Sequence, residues 1–359
     1  MKKLTLALLF ALILAGGIAM FLGNTDVSLS ERRQMAQWSD VAGSNLLSGN
    51  FMTKVENAAM DQFPLRDSFR ALKANFLYRV MGKLDNNNLY IHNGSAAKLE
   101  YPLDELSVQN AISKFSKVQN SFLRNPKINI YTCIVPDKSY YLAQELGYPT
   151  LDYERMEQMF SEGLKGTSIQ IYDLLDIDSY YATDPHWTQG ELVPVAEYLA
   201  QQMGVPFHLE GATLHADGEF IGAYVGQSAM NLAKDELTYW DGGILENLKA
   251  TDLSTGETIP VYNLEGRQGN DPYDFFLGGA APLQVIENPD CPNNRELIIF
   301  RDSFGSSIAP LLAGSYRRVV LVDLRYMNSN VLNQYIRFSN QDVLFLYSTL
   351  ILNQSSALR

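Results

Sequence analysis

Glu296-Leu297-Ile298-Ile299-Phe300-Arg301-Asp302-Ser303-Phe304-Gly305-Ser306-Ser307 decides the fold. Leu297 to Phe300 is a short apolar run that reads as a buried strand. Ser307 to Ala313 reads as a helix, so Ser303 stands at a strand-to-helix turn. Such a turn presents a hydroxyl at the open end of a sheet and aims helix-start N–H groups at the same spot. A serine hydroxyl needs a base before it is a useful nucleophile. Tyr181-Ala182-Thr183-Asp184-Pro185-His186-Trp187 offers one beside a carboxylate.

Asp184 and His186 are two residues apart, and an extended segment points such residues to one side. Pro185 favours an extended conformation at Asp184. Asp184 is thus placed to orient His186, and His186 to deprotonate Ser303, in the manner of a Ser-His-Asp hydrolase or acyltransferase. Trp187 is read as a wall of the site or a stacking surface for a sugar ring. The alternative for the segment is a surface turn before a helix opened by Thr188-Gln189.

Arg-Asp-Ser-Phe occurs twice, at 66–69 and 301–304. Ser68 has no strand before it and follows Phe63-Pro64-Leu65, so it reads as an N-terminal helix position that suits the dipole and orphan N–H groups. For Ser303 the alternative reading is a helix N-cap at the turn. The preceding strand and the small residues Gly305, Ser306 and Ser307 favour the nucleophile at Ser303.

Outward from this core, strands are expected over 128–135, 169–174, 297–300, 318–322 and 343–347. Helices are expected over 106–123, 153–164, 189–203, 307–313 and 329–336. Strands alternating with helices predict an α/β three-layer sandwich with a mainly parallel sheet. The stretch 206–292 breaks the rhythm and reads as an irregular insertion within a domain spanning 86–359. Residues 24–85 read as a stalk with N-terminal helices, in which Phe69, Leu72, Phe76 and Val80 form one stripe.

Met1-Lys2-Lys3 precedes an apolar run, 4–23, broken only by Thr5. Lysines before such a run bias a chain toward export. The run approaches the ~20 residues that span a bilayer. Residues 1–23 are therefore read as a single-pass membrane anchor with an extracytoplasmic domain; the alternative is a cleaved signal and a secreted protein.

The chain has 359 residues, 46% of them hydrophobic, which supplies a sizeable core. A net charge of -12 without a Lys/Arg-rich run argues against nucleic acid as a partner. The four histidines and two cysteines show no metal-ligand spacing, so no metal and no cofactor is expected. Cys133 and Cys291 read as two buried thiols, though export permits a disulfide.

The chain resembles the SGNH-hydrolase-like proteins of polysaccharide O-acetylation, and in particular a bacterial group named for its Asp-His-His-Trp (DHHW) motif, related to alginate O-acetylation proteins. Gln62 to Asp67, Val135 to Lys138, Asp184 to Trp187 and Arg301 to Phe304 carry the resemblance, in that order. It implies a triad of Ser303, His186 and Asp184, an acetyl-serine intermediate, a polysaccharide acceptor and a membrane-bound O-acyltransferase partner. Pro185 replaces the first histidine of the naming motif, which is not the expected base. Arg301 stands where broader SGNH enzymes have glycine. Oxyanion donors are sought at the backbone of Ser303 and Phe304, with Gly278 and Gly279 as further candidates. Lys138, Arg325 and Tyr326 follow strand ends and are candidates to line the site by analogy; the alternative for each is a solvated loop position. The competing function is a non-catalytic carbohydrate-binding or assembly factor.

Overall fold

The protein is described by a computed structural model covering residues 2–22, 25–28, 30–42, 49–264 and 271–359. It packs as two units. One comprises Met1–Tyr90 with Ala223–Leu232, the other Ile91–Gly222 with Ala233–Arg359.

The larger unit is built on a sheet of eight strands: β1 Asn129–Val135, β2 Thr167–Ser168, β3 Lys249–Asp252, β4 Glu257–Ile259, β5 Leu283–Glu287, β6 Glu296–Arg301, β7 Arg318–Val322 and β8 Asp342–Ser348. Their order is β4-β3-β5-β7-β6-β8-β1-β2. The ladders from β7 through β6, β8 and β1 to β2 are parallel, and those joining β7, β5, β3 and β4 are antiparallel.

Side chains alternate across this sheet and feed two cores. Leu297 and Ile299 of β6, Leu344 and Leu346 of β8, and Cys133 and Val135 of β1 face one side. They meet helices α4 Val193–Gln202 and α5 Phe304–Ala313, through Val195, Leu199, Ile308 and Leu312. Ile298, Phe300, Val343, Phe345 and Ile134 face the other side. They meet α1 Glu105–Phe122 and α3 Tyr153–Gly163, through Phe115, Val118, Met156 and Phe160. Strands buried on both faces require this continuous apolar composition, and parallel ladders require helical crossovers. The expected layered α/β architecture is present.

Three local differences have physical reasons. Ile169 and Ile171 alternate like a strand and are both buried, yet β2 stops at Ser168. The Ile169 N–H still reaches the Thr132 carbonyl at 2.8 Å, after which the chain leaves the sheet and turns into a 3-10 segment at Tyr172–Leu174. Residues 329–334 also form a 3-10 segment, its start capped by the Asn328 side chain on Asn330 N–H. The irregular stretch contributes β3, β4 and β5 to the main sheet, plus a hairpin of Thr213–Phe220 with Asp235–Asp241.

In the smaller unit, the first Arg-Asp-Ser-Phe copy opens a helix, Arg66–Asn75, with Ser68 exposed in its first turn. Arg66 pairs with Glu31 at 2.7 Å and with Asp61 at 3.4 Å, so this copy serves an ion-pair cluster. The stripe Phe69, Leu72, Phe76 and Val80 lies exposed. A helix runs over Lys2–Leu22, where the membrane anchor was expected. The side chains of several positions behind that expectation, among them Leu8, Leu9, Leu12 and Ile13, lie outside the described residues. Among the described residues no helix is long and apolar enough to cross a membrane. Cys133 and Cys291 are both buried free thiols.

Candidate active site

Ser303 sits between β6 and α5, at the carboxyl end of a central parallel strand, where α/β sheets hold ligands. The turn is fixed by Asp302, which is fully buried. Its Oδ1 accepts the Phe304 N–H at 3.0 Å, and its Oδ2 accepts the N–H and hydroxyl of Ser348, each at 2.7 Å. The nucleophile turn is thereby tied to the end of the adjacent strand β8. Gly305 is required by close approach, because a Cβ there would stand 2.6 Å from Arg301 Cβ. Arg301 is itself buried, donating to Gln284 Oε1 at 2.8 Å, and burial pulls its pKa down.

The Asp184-Pro185-His186-Trp187 segment is a buried loop closed by the Tyr181 N–H on the His186 carbonyl at 3.1 Å. Its approach is held by Asp235, whose carboxylate accepts the N–H groups of Ala182 and Thr183 at 2.6 and 2.8 Å and also the Thr183 hydroxyl. Gly222 packs against the same loop, where a Cβ would lie 2.5 Å from Asp184 Cβ.

The two segments meet at one point. His186 Nε2 lies 2.7 Å from Ser303 Oγ, and Nδ1 lies 2.6 Å from Asp184 Oδ1. The neighbouring carboxylate places the imidazole proton on Nδ1, which leaves Nε2 as an acceptor for the serine hydroxyl. His186 is 8% exposed and Asp184 fully buried, so the pair works in a low-dielectric setting while Ser303 stays partly open.

No family model and no curated protein matches the chain, but solved structures do. A DHHW family protein from Eubacterium siraeum superposes over 76% of this chain and 94% of its own, with a TM-score of 0.60 and 19% identity. This chain has the DHHW protein's fold. Bacillus cereus PatB1 gives a TM-score of 0.58 at 20% identity, over 74% of this chain and 96% of its own. A second PatB1 structure, with a sulfonyl adduct, gives 0.57 at 19%, over 74% and 97%.

Within this DHHW-type fold, several expected site residues do other work. Trp187 is fully buried and cannot stack on a sugar; its Nε1 donates to Ser307 Oγ at 2.8 Å and to the Phe304 carbonyl at 3.2 Å. It locks the histidine loop onto α5. Lys138 is also buried rather than lining the site. Its Nζ donates to the carbonyls of Tyr181, Ala182 and Asp184 at 2.7, 3.1 and 3.4 Å, and burial pulls its pKa down to about 7.

The Phe304 N–H is engaged by Asp302, so it is not an open oxyanion donor. The Gly279 N–H is spent on the Phe276 carbonyl at 3.2 Å, and no hydrogen bond among the described residues links Gly278 to Ser303. Among the described residues the Ser303 N–H has no protein acceptor. Arg325 grips Asp323 through Nε and Nη2, at 2.9 and 2.6 Å to the two carboxylate oxygens, and lies over the half-exposed Tyr326 ring. These two residues follow β7, the neighbour of β6, and no hydrogen bond joins them to Ser303.

The residue that sequence reasoning missed is Tyr273. Its ring stacks on His186, and its hydroxyl donates to Ser307 Oγ at 2.7 Å. It comes from a 3-10 turn, Pro272–Phe275, whose start is capped by Asp271 on the Tyr273 N–H. Asp271-Pro272 is a turn signal, but nothing in it points to a histidine distant in sequence.

Proposed function

We propose that the protein is an extracytoplasmic serine O-acetyltransferase acting on a polysaccharide. The observation that supports this most is the relay of 2.7 and 2.6 Å contacts from Ser303 Oγ through His186 to Asp184. The ordered motifs and their resemblance to O-acetylation proteins supply the acyl group and acceptor class. PatB1, which shares the fold, has been determined with a sulfonyl adduct, and sulfonylation calls for a nucleophile of the kind proposed for Ser303.

In this reading Ser303 Oγ attacks an acetyl carbonyl as its proton passes to His186 Nε2. The resulting imidazolium is stabilised by Asp184. The Ser303 N–H is one backbone donor available to the oxyanion. Collapse breaks the bond to the leaving group, which takes the proton from Nε2 and leaves acetyl-Ser303. A sugar hydroxyl then gives its proton to Nε2 and attacks the acetyl carbonyl, and Ser303 regains its proton as the ester is released. With water as acceptor the same steps make an esterase.

Met1-Lys2-Lys3 and the apolar run behind it support export, and retention or removal of the run would both place Ser303 outside the cytoplasm. An acetyl donor must then cross the membrane, which calls for a membrane-bound O-acyltransferase partner.

The engagement of Phe304 N–H by Asp302 favours a second reading, a glycan-binding factor of an acetylation machinery, because it takes away one of the backbone donors expected for an oxyanion. Turnover of an activated acetyl ester separates the two. The first reading predicts turnover that Ser303→Ala abolishes. The second predicts glycan affinity that survives Ser303→Ala, with no acetyl intermediate.

A further inference from the structure

Beside the sheet edge at β2, the larger unit holds a cavity of about 510 Å³ that the Ser303 chemistry does not use. Its walls come from α3, from the start of the helix α2 Ser139–Leu146, and from the segment after β2. Tyr140, Tyr153 and Tyr172 form one aromatic wall: Tyr140 meets Tyr153 at 4.9 Å and 87°, and Tyr172 at 4.8 Å and 66°. Opposite polarity comes from Glu157, Gln158 and Gln170.

The Glu157 carboxyl and the Tyr172 hydroxyl face each other in the cavity wall, and Glu157 Oε1 and the Tyr172 hydroxyl, both buried, fall short of good hydrogen-bond geometry. Buried polar atoms are ordinarily well satisfied, so this imperfect pair keeps hydrogen-bonding capacity for the hydroxyls of a bound molecule. Burial pushes the Glu157 carboxyl up to about 7, which lets it donate as well as accept near neutrality. Among the described residues no lysine, arginine or histidine lines the cavity, while Glu154 and Asp173 add carboxylates at its rim. An anionic ligand is therefore disfavoured. Tyrosine faces, amides and a carboxyl of mixed protonation suit the C–H faces and vicinal hydroxyls of a pyranose.

We propose that this cavity binds a sugar unit of an uncharged or amine-bearing glycan and excludes uronate-bearing ones. It is joined to the Ser303 site by one dipeptide: Asp137 accepts the Tyr153 hydroxyl at 3.1 Å, and Lys138 holds the Asp184 loop. β2 lies three ladders from β6 in the sheet, a separation of about 14 Å, or a few sugar units. As a glycan site the cavity stands by itself; as the site that holds the acceptor chain it rests on the transferase reading above.

The test is equilibrium binding of fluorescently labelled cellotetraose, a glucosamine tetramer and a mannuronate tetramer to the full chain carrying Ser303→Ala. Ser161→Trp, at an exposed lining position of α3, places bulk in the cavity without disturbing the core. The expected result is binding of the first or second probe, at least tenfold weaker binding of the mannuronate tetramer, and at least a tenfold loss on adding Ser161→Trp to protein whose melting temperature shows it folded. The inference is overturned if neither of the first two binds, if the mannuronate tetramer binds as well as they do, or if Ser161→Trp leaves binding unchanged. Acetyl-ester turnover by the wild-type chain, run in parallel, reports on the transferase reading alone: binding without turnover removes that reading and keeps this site, and turnover without binding does the reverse.

Discussion

The imidazole of His186 and the ring of Tyr273 lie face to face, with centroids 3.7 Å apart and planes 7° from parallel. Tyr273 also donates its hydroxyl to Ser307 Oγ, which receives Trp187 Nε1 as well. The histidine is thus held flat by a ring that is itself tied to α5, the helix behind the nucleophile. Tyr273 is a positioning residue. Loss of an aromatic pair is worth about 1 kcal/mol, which corresponds to roughly a fivefold change in rate. Tyr273→Leu should lower kcat for an acetyl ester by about that factor or more, while Tyr273→Phe, which keeps the ring, stays closer to wild type. Equal losses in both would show that the hydroxyl, and not the stacking, matters.

Asp184 and Asp302 are both buried beside the site, yet only Asp184 touches His186. Asp184→Asn should leave the fold standing and lower kcat by about 10³–10⁴, because the imidazole then takes the wrong tautomer. Asp302→Asn turns an amide against donors that now meet a carboxylate. It should cost stability, about 1.5–3 kcal/mol, seen as a lower urea midpoint. A stable Asp302→Asn variant would contradict the structural role given to that carboxylate.

Lys138 gives a pH signature. Its folded pKa is depressed to about 7 from an ordinary value of 10.5, chiefly by burial. Between those values the unfolded chain holds the proton more than the folded chain, so this group makes stability rise with pH from about 7 toward 10.5. Below about 7 the cost of burying the ammonium is constant. Lys138→Met removes the group, so the wild type should gain in urea midpoint relative to the variant between pH 7 and 10. Parallel behaviour of the two proteins would refute the assignment.

Gly305 tests the packing behind the serine. A Cβ there meets Arg301 Cβ at 2.6 Å, within a helix buried along its length. Gly305→Ala should destabilise by about 1–3 kcal/mol through overpacking, read as a lower melting temperature. An unchanged melting temperature would mean that Arg301 has room to move.

The strands of the sheet centre were legible because β6, β7 and β8 are apolar on both faces and bounded by turn residues, and context alone separated Ser303 from Ser68. The triad candidates were legible for the same local reasons: a turn serine and an Asp-x-His. The burial of Trp187 and Lys138 was not legible, because composition does not tell a buried side chain from an open one, and a charged or aromatic residue after a strand end looks available. β3 and β4 are four and three residues long, too short for a period, and antiparallel ladders added at the edge leave no crossover helix to announce them. Tyr273 lay beyond reach because its partner is 87 residues away in sequence and its own turn is irregular.

The central claim is that Ser303, activated by His186, is the nucleophile. Intact-protein mass spectrometry after incubation with an activated acetyl ester tests it most directly, on wild type, Ser303→Ala, His186→Ala and Ser68→Ala. The account predicts an acetyl adduct that maps to Ser303, persists in Ser68→Ala and is absent from the other two. An adduct elsewhere, or a folded wild-type protein that neither acquires one nor turns over the ester, would contradict it.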